Sequence, residues 1–382
     1  MVNRMRLKEL DSLRGLASLT VLIGHFIGVY PWIEQNTYDQ GLTALNLLKY
    51  TPLHVFWAGH EAVILFFILS GFVLSLPFFH GKVKYIPFLV KRICRIFVPY
   101  FGALILSLLG LSMFNGIRNP QLSNWFNGLW QSSLTSGDII NHFLLIGFFD
   151  ATKLDNPIWS LVHEMRISII LPLVVIIIVL GRNWKVSLFV GGVLSIGASS
   201  VYRVFPVQYI QSVMLTLQYI LMFVIGAILA NNYKGIVCKY NALGLFGKTS
   251  LGLVALMSYT YSWLFYGQKL LHRAFINDWV IAFGASIFII MALSNNKFLL
   301  LRPIKFLGNI SYSLYLLHIP ILIVVMRTCP SWFPIWLSLL IAFVLSLIFA
   351  NIFFLYLEKP SIVLGKRIVN RVSKNSLVRV KG

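Results

Sequence analysis

Apolar residues in this chain fall in long, unbroken runs separated by short polar connections, and they do not alternate in character from one residue to the next. That pattern predicts helices rather than strands, and a run of roughly 20 residues is what a helix needs to cross the hydrocarbon of a bilayer. Ten stretches are predicted as spans: 12–31, 59–79, 96–115, 158–180, 186–204, 210–231, 249–266, 275–294, 308–327 and 333–356. The apolar stretch 139–149 is too short to cross and is read as interfacial or re-entrant. The predicted fold class is therefore all-α, a polytopic integral membrane bundle of about ten transmembrane helices. Residues 1–360 form one membrane-embedded domain, and 361–382 are a short basic tail.

Composition excludes a soluble reading. Of 382 residues, 58% are hydrophobic and 11% charged, with a mean hydropathy of +0.82, against roughly 45–50% and about 25% in an ordinary globular domain. The net charge of +21 is explained by position. With the N-terminus inside, the cytoplasmic connections and tails hold 23 Lys and Arg and the opposite face holds 7, leaving Arg14 and Arg166 within spans. Both termini are thus predicted to be cytoplasmic, and the excess charge marks topology and contact with anionic membrane lipid rather than nucleic acid. The start, with Arg4, Arg6 and Lys8, resembles a signal peptide, but Arg14 within the apolar run and the lack of a small-x-small site predict a retained first span. Three scattered cysteines (Cys94, Cys238 and Cys329) predict neither disulfides nor zinc. The eight histidines contain no i,i+4 pair, so no metal is expected. The GKT of GLFGKTS has Ala242 where a phosphate loop needs its first glycine, and no strand precedes it.

Candidate chemistry lies where polar groups sit inside apolar runs, because a central Arg or Asp costs about 2.5–3.5 kcal/mol on insertion scales and needs a partner or a task. In the first span Arg14 and His25 are eleven residues apart, three turns plus about 20°, so they share a face with about 16 Å between them. Asp11 and Ser18 fall near the same line. The alternative is an Asp11–Arg14 pair at the headgroups and an isolated histidine. In NPIWSLVHEMR, Ser160 and Glu164 are an i,i+4 pair with Trp159, His163 and Arg166 beside them. That is either an acid–base cluster or an interfacial anchor. In KVKYIPFLVKRICR, Lys82, Lys84, Lys91, Arg92 and Arg95 crowd one loop and helix start, fit for a phosphate or for lipid headgroups. In GNISYSLYLLHIP, Tyr312, Tyr315 and His318 make one hydrogen-bonding face, a site lining or helix glue, with His318 at a depth similar to His25.

Arg14-x10-His25, FFILSG from Phe66 to Gly71, RICR from Arg92 to Arg95, PIWSLVHE from Pro157 to Glu164 and SYSLYLLH from Ser311 to His318 occur in that order. Together they resemble the acyltransferase 3 family of integral membrane O-acyltransferases over nearly the whole chain. The resemblance implies a ten-helix bundle, expected in a bacterial inner membrane, that moves an acyl group from cytoplasmic acyl-CoA, usually acetyl-CoA, to a hydroxyl, often on a surface or exported glycan. It implies catalytic roles for His25 with Arg14, and donor recognition by Arg92 and Arg95 with Lys91 beside them. Glu164 would orient or polarise His25. Asp11, Ser70, Trp159, Ser160, Tyr312, Tyr315 and His318 are the expected acceptor or pocket lining. CoA phosphates suit a basic loop, and a long pantetheine arm suits a polar stripe ending at His25, which would deprotonate the acceptor hydroxyl or transiently take the acyl group. The chain departs from the family at Ile64, where many relatives carry an acid, and no acidic role is carried over to Glu61. The soluble esterase-like domain of some relatives is not seen after the bundle. The rival functions are a transporter or flippase for a lipid-linked glycan or small anion, and a non-catalytic receptor or scaffold.

Overall fold

The computed structural model describes every residue except 1–6, 36, 39, 40, 42, 80, 82, 132, 133, 181, 182, 295, 331 and 380–382. Arg4, Arg6 and Lys82 therefore lie outside the described residues. The principal helices are α1 (Lys8–Ile27), α2 (Gly59–Phe79), α3 (Tyr85–Phe114), α4 (Ile158–Leu180), α5 (Trp184–Val204), α6 (Gln208–Asn241), α7 (Leu245–Tyr259), α8 (Ala274–Leu293), α9 (Arg302–Thr328), α10 (Ile335–Phe353) and α11 (Lys359–Arg379). No strand occurs among the described residues.

Nine helical segments among these residues are long and apolar enough to cross a membrane: α1 to α6, α8, α9 and the stretch Ile335–Val372, which joins α10 to α11 through a π turn at Phe354–Glu358. The chain is an all-α, polytopic integral membrane protein. Proline inside α2, α3, α4 and α9 (Pro77, Pro99, Pro172 and Pro320) does not end those helices, because hydrocarbon offers the freed carbonyls no competing partner. The stretch predicted at 249–266 is different. It is helix α7 of 15 residues, a break at Thr260, and one further turn at Tyr261–Leu264. Fifteen residues reach about 22 Å, short of a hydrocarbon core of about 30 Å. Thr260 leaves helical geometry at φ −99°, ψ 13° and turns its hydroxyl back to the Leu256 carbonyl at 2.9 Å. The interfacial stretch predicted at 139–149 overlaps the nine-residue helix Ser136–Leu144, which is opened by a reciprocal Thr135–Asp138 capping box.

The chain divides into two compact units. The first comprises Met1–Phe79, Gln121–Ser123 and Ile170–Ser311. Here α2 is apolar all round and buried along most of its length, as expected of a helix with neighbours on every side. It crosses α6 where Gly71 meets Gly226: a Cβ on either would press into the other helix's backbone, at the Phe223 or the Ile68 carbonyl. A second tight crossing puts Gly308 against α1, where an added Cβ would lie 2.7 Å from the Asp11 carbonyl oxygen. The Ser18 hydroxyl donates across that crossing to the Ser311 carbonyl at 2.8 Å. Small residues let backbones approach where no water drives helices together.

The second unit comprises His80–Pro120, Asn124–Ile169 and Tyr312–Gly382. In it α11 packs along α3, with Gly365 against Lys91 and Cys94. Trp130, fully buried and held at φ 51°, fills the space over Gly110 and donates Nε1–H to the Leu154 carbonyl at 2.8 Å. The Arg327 guanidinium donates to the Phe114 carbonyl at 2.6 Å and to the Leu129 carbonyl, and lies about 6 Å from the rings of Phe126 and Trp130.

Candidate active site

In the first unit the last turn of α1 brings Gly24 and His25 to the wall of a cavity of about 210 Å³. The segment that follows α1 supplies Lys49, His54 and Trp57, the start of α2 supplies His60 and Glu61, and Trp263 closes the wall. His25 is half-buried. Arg14 and Asp11, on the same helix, are half-buried nearer its start and do not line the cavity. Ser18 is used at the α1–α9 crossing, and Ser70 is buried inside α2 away from the cavity lining.

The wall is mostly aromatic. His54 stacks on Trp263 with ring centroids 4.1 Å apart and planes 23° apart, and meets Trp57 edge-on at 5.4 Å. Burial pushes the His54 pKa down to about 3, with the Lys49 charge adding to the effect, so its imidazole is neutral at physiological pH. Lys49 is itself almost enclosed and donates to the carbonyls of Ile33 at 3.0 Å and Gln35 at 2.7 Å. Burial lowers its pKa. Glu61 is 1% exposed; one oxygen accepts from the Ser262 hydroxyl at 2.5 Å, and the other has no hydrogen-bond partner among the described residues. His60 is open to the cavity and donates from Nε2 to Asp278 Oδ1 at 2.7 Å.

In the second unit the buried Arg92 is committed to its own neighbours. Its guanidinium pairs with the Glu164 carboxylate, and its Nε donates to the Ser168 hydroxyl at 3.2 Å, which in turn donates to the Glu164 carbonyl at 2.6 Å. Glu164 therefore sits beside Arg92 of the same unit. Lys91 and Arg95 flank Arg92 on α3 and are half-buried. The hydroxyls of Ser160 and Tyr315 are 2.7 Å apart, and Tyr315 donates to the Pro157 carbonyl at 3.0 Å. Tyr312 donates to the Ile96 carbonyl at 2.9 Å, His318 bonds through Nδ1 to the Leu314 carbonyl at 3.0 Å, and Trp159 lies edge-on to His163. This face joins α3, α4 and α9 by side-chain-to-backbone bonds. Beside it Asp155 is 1% exposed with both carboxylate oxygens lacking a hydrogen-bond partner among the described residues. Burial raises its pKa well above the usual carboxylate range.

A cavity that gathers an imidazole at a helix end, a second imidazole backed by a carboxylate and an aromatic wall suits proton transfer to a hydroxyl-bearing ligand. No group of three or more metal-ligating side chains occurs among the described residues. The family model described as an acyltransferase domain matches residues 7–355. The chain belongs to the acyltransferase 3 family. No match was found among curated proteins or among solved structures. Membership covers both units, so the features of each are properties of a membrane acyltransferase domain.

Sequence reasoning missed His54, His60, Asp278 and Asp155, and carried no acidic role over to Glu61. Asp278 carried a usable signal, since it is a carboxylate inside the predicted span 275–294 and an intramembrane carboxylate needs a partner. His54 and His60 carried none, because they look like an ordinary polar flank of α2 until folding places them on the cavity that His25 lines.

Proposed function

We propose that this acyltransferase 3 protein is an acyl-CoA-dependent O-acyltransferase of the bacterial cytoplasmic membrane, moving an acetyl group from acetyl-CoA to a hydroxyl of a surface or exported glycan. The observation that carries the reading is His25: the one histidine of the Arg-x10-His pattern opens onto a defined cavity in a chain of this family. In the reaction the acceptor oxygen bonds to the acyl carbon, the carbon–sulfur bond breaks, and the hydroxyl proton ends on the CoA thiol. His25 serves this either by accepting the hydroxyl proton or by taking the acyl group on its own nitrogen. Arg14 is assigned to holding the polar face of α1 that leads to it. In the second unit Lys91 and Arg95 give α3 a cationic start suited to the donor's phosphates, and Arg92 between them, paired with Glu164, fixes that part of the helix. The cavity's volume supports a short acyl group: about 210 Å³ is below the roughly 300–1,000 Å³ that holds a drug-sized ligand. Its aromatic wall offers flat faces to a sugar ring.

The deciding experiment reconstitutes the protein in lipid vesicles with labelled acetyl-CoA and glycan extracted from a host lacking the gene. Ester-linked label should appear with the native protein and fall about 100-fold or more with His25→Ala. Equal labelling by both proteins would overturn the reading. Unchanged esters with lost glycan export in His25→Ala cells would instead favour a transporter.

A further inference from the structure

Asp278 is a lone carboxylate in an otherwise apolar stretch of α8, and it is 2% exposed. Both of its oxygens are engaged: Oδ1 accepts from His60 Nε2 at 2.7 Å and Oδ2 from Gln218 Nε2 at 2.6 Å. Gln218 is 4% exposed. Three helices of the first unit, α2, α6 and α8, thus supply one member each, and the product of this arrangement is a single oriented imidazole. With Nε2–H donated to the carboxylate, the neutral form of His60 presents its lone pair at Nδ1. A histidine enclosed for structure alone would be shut away, yet the His60 side chain is 43% exposed and lines the same cavity as His25. A base oriented by a carboxylate, which is in turn fixed by another group, is the arrangement that general-base catalysis requires.

We infer that His60 is a second catalytic imidazole of this cavity, taking the proton from the acceptor hydroxyl while His25 carries the acyl group, with Asp278 and Gln218 as positioning residues. The inference rests on the acyltransferase reading above. In the first step a His25 nitrogen attacks the thioester carbonyl; a carbon–nitrogen bond forms, the carbon–sulfur bond breaks, and the imidazole's other proton passes to the thiolate, giving CoA–SH. In the second step His60 Nδ1 takes the hydroxyl proton as the acceptor oxygen attacks the acyl carbon. The carbon–oxygen bond forms, the carbon–nitrogen bond breaks, and the proton moves from His60 to the His25 nitrogen that gave one up in the first step. Both imidazoles return to their starting state, and no further reactant is consumed.

The test follows CoA release with a thiol reagent and ester formation with labelled acetyl group, using full-length protein in vesicles, acetyl-CoA, and glycan from a host lacking the gene. His60→Ala should release about one CoA per protein and then stall, with ester formation down about 100-fold, whereas His25→Ala should release none. Because the His60 side chain is 43% exposed and lines the cavity, added imidazole should restore His60→Ala turnover at least tenfold. Asp278→Asn, which keeps the shape of the pair, should retain the single CoA release and lose turnover about tenfold. Native turnover in His60→Ala or Asp278→Asn, loss of the single CoA release in a folded His60→Ala protein, or no response to imidazole overturns the inference while leaving the acyltransferase reading standing. If the native protein itself releases no CoA and makes no ester, both readings fall together.

Discussion

At the scale of single residues, the paired charge in the second unit and the neutral histidine in the first make opposite demands on their surroundings. Arg92 is 7% and Glu164 17% exposed, so each neutralises a charge that water cannot reach well. Arg92→Met should strand the carboxylate and destabilise the protein by about 3 kcal/mol, with Arg92→Met/Glu164→Gln recovering much of that loss. Thermal unfolding in detergent for the two singles and the double measures the coupling. His54 gives a pH signature. Its pKa is about 3 in the folded protein against an ordinary 6.5, so the unfolded chain binds the extra proton between those values. Its contribution is complete above pH 6.5 and is lost as pH falls toward 3, at up to about 1.4 kcal/mol per pH unit. His54→Phe keeps a ring against Trp263 and should flatten that part of the pH–stability curve. An unchanged slope would show that other groups set it. How much of this was legible beforehand differs by residue. Arg14 and His25 announce themselves by a one-face spacing within one helix. The His60–Asp278–Gln218 set joins positions 218 and 60 residues apart, and no local pattern encodes such a meeting.

At the scale of elements, lipid as solvent makes most spans legible and hides the exceptions. A helix in hydrocarbon must satisfy its own backbone, so apolar length alone locates α2, α6 and α8. The segment 249–266 has the same apolar character, but Thr260 diverts the chain, and hydropathy averages over one residue's change of direction. The FFILSG motif gains a physical meaning for its glycine: Gly71 lies at the tight crossing of α2 and α6. Gly71→Ala would push a methyl group into the Phe223 backbone, and since backbone cannot rotate aside, a loss of about 1–3 kcal/mol is expected. Gly59→Ala serves as the control, because nothing lies within 4 Å of the added carbon. Thermal stability in detergent separates the two; equal melting of both variants would mean that the crossing is more compliant than its geometry indicates.

At the scale of the molecule, function depends on what a membrane-embedded cavity admits. A space of about 210 Å³, below the roughly 300–1,000 Å³ of a pocket for a drug-sized ligand, suits an acetyl group and one approaching hydroxyl. Octanoyl-CoA should therefore be used at least about tenfold less efficiently than acetyl-CoA by kcat/KM, a difference of about 1.4 kcal/mol in transition-state binding. Competition between the two donors in vesicles is the direct measurement, and equal use would require the cavity to open further.

One further consequence follows from the stacking of His54 on Trp263. Protonated imidazole quenches indole emission, whereas neutral imidazole does so weakly, and the pair forms part of the wall that a ligand must touch. The pair thus offers an optical reporter in the cavity wall. Among its ten tryptophans, the fluorescence lost in Trp263→Phe isolates that signal, and a change in it on adding acceptor would report occupancy in real time without any label.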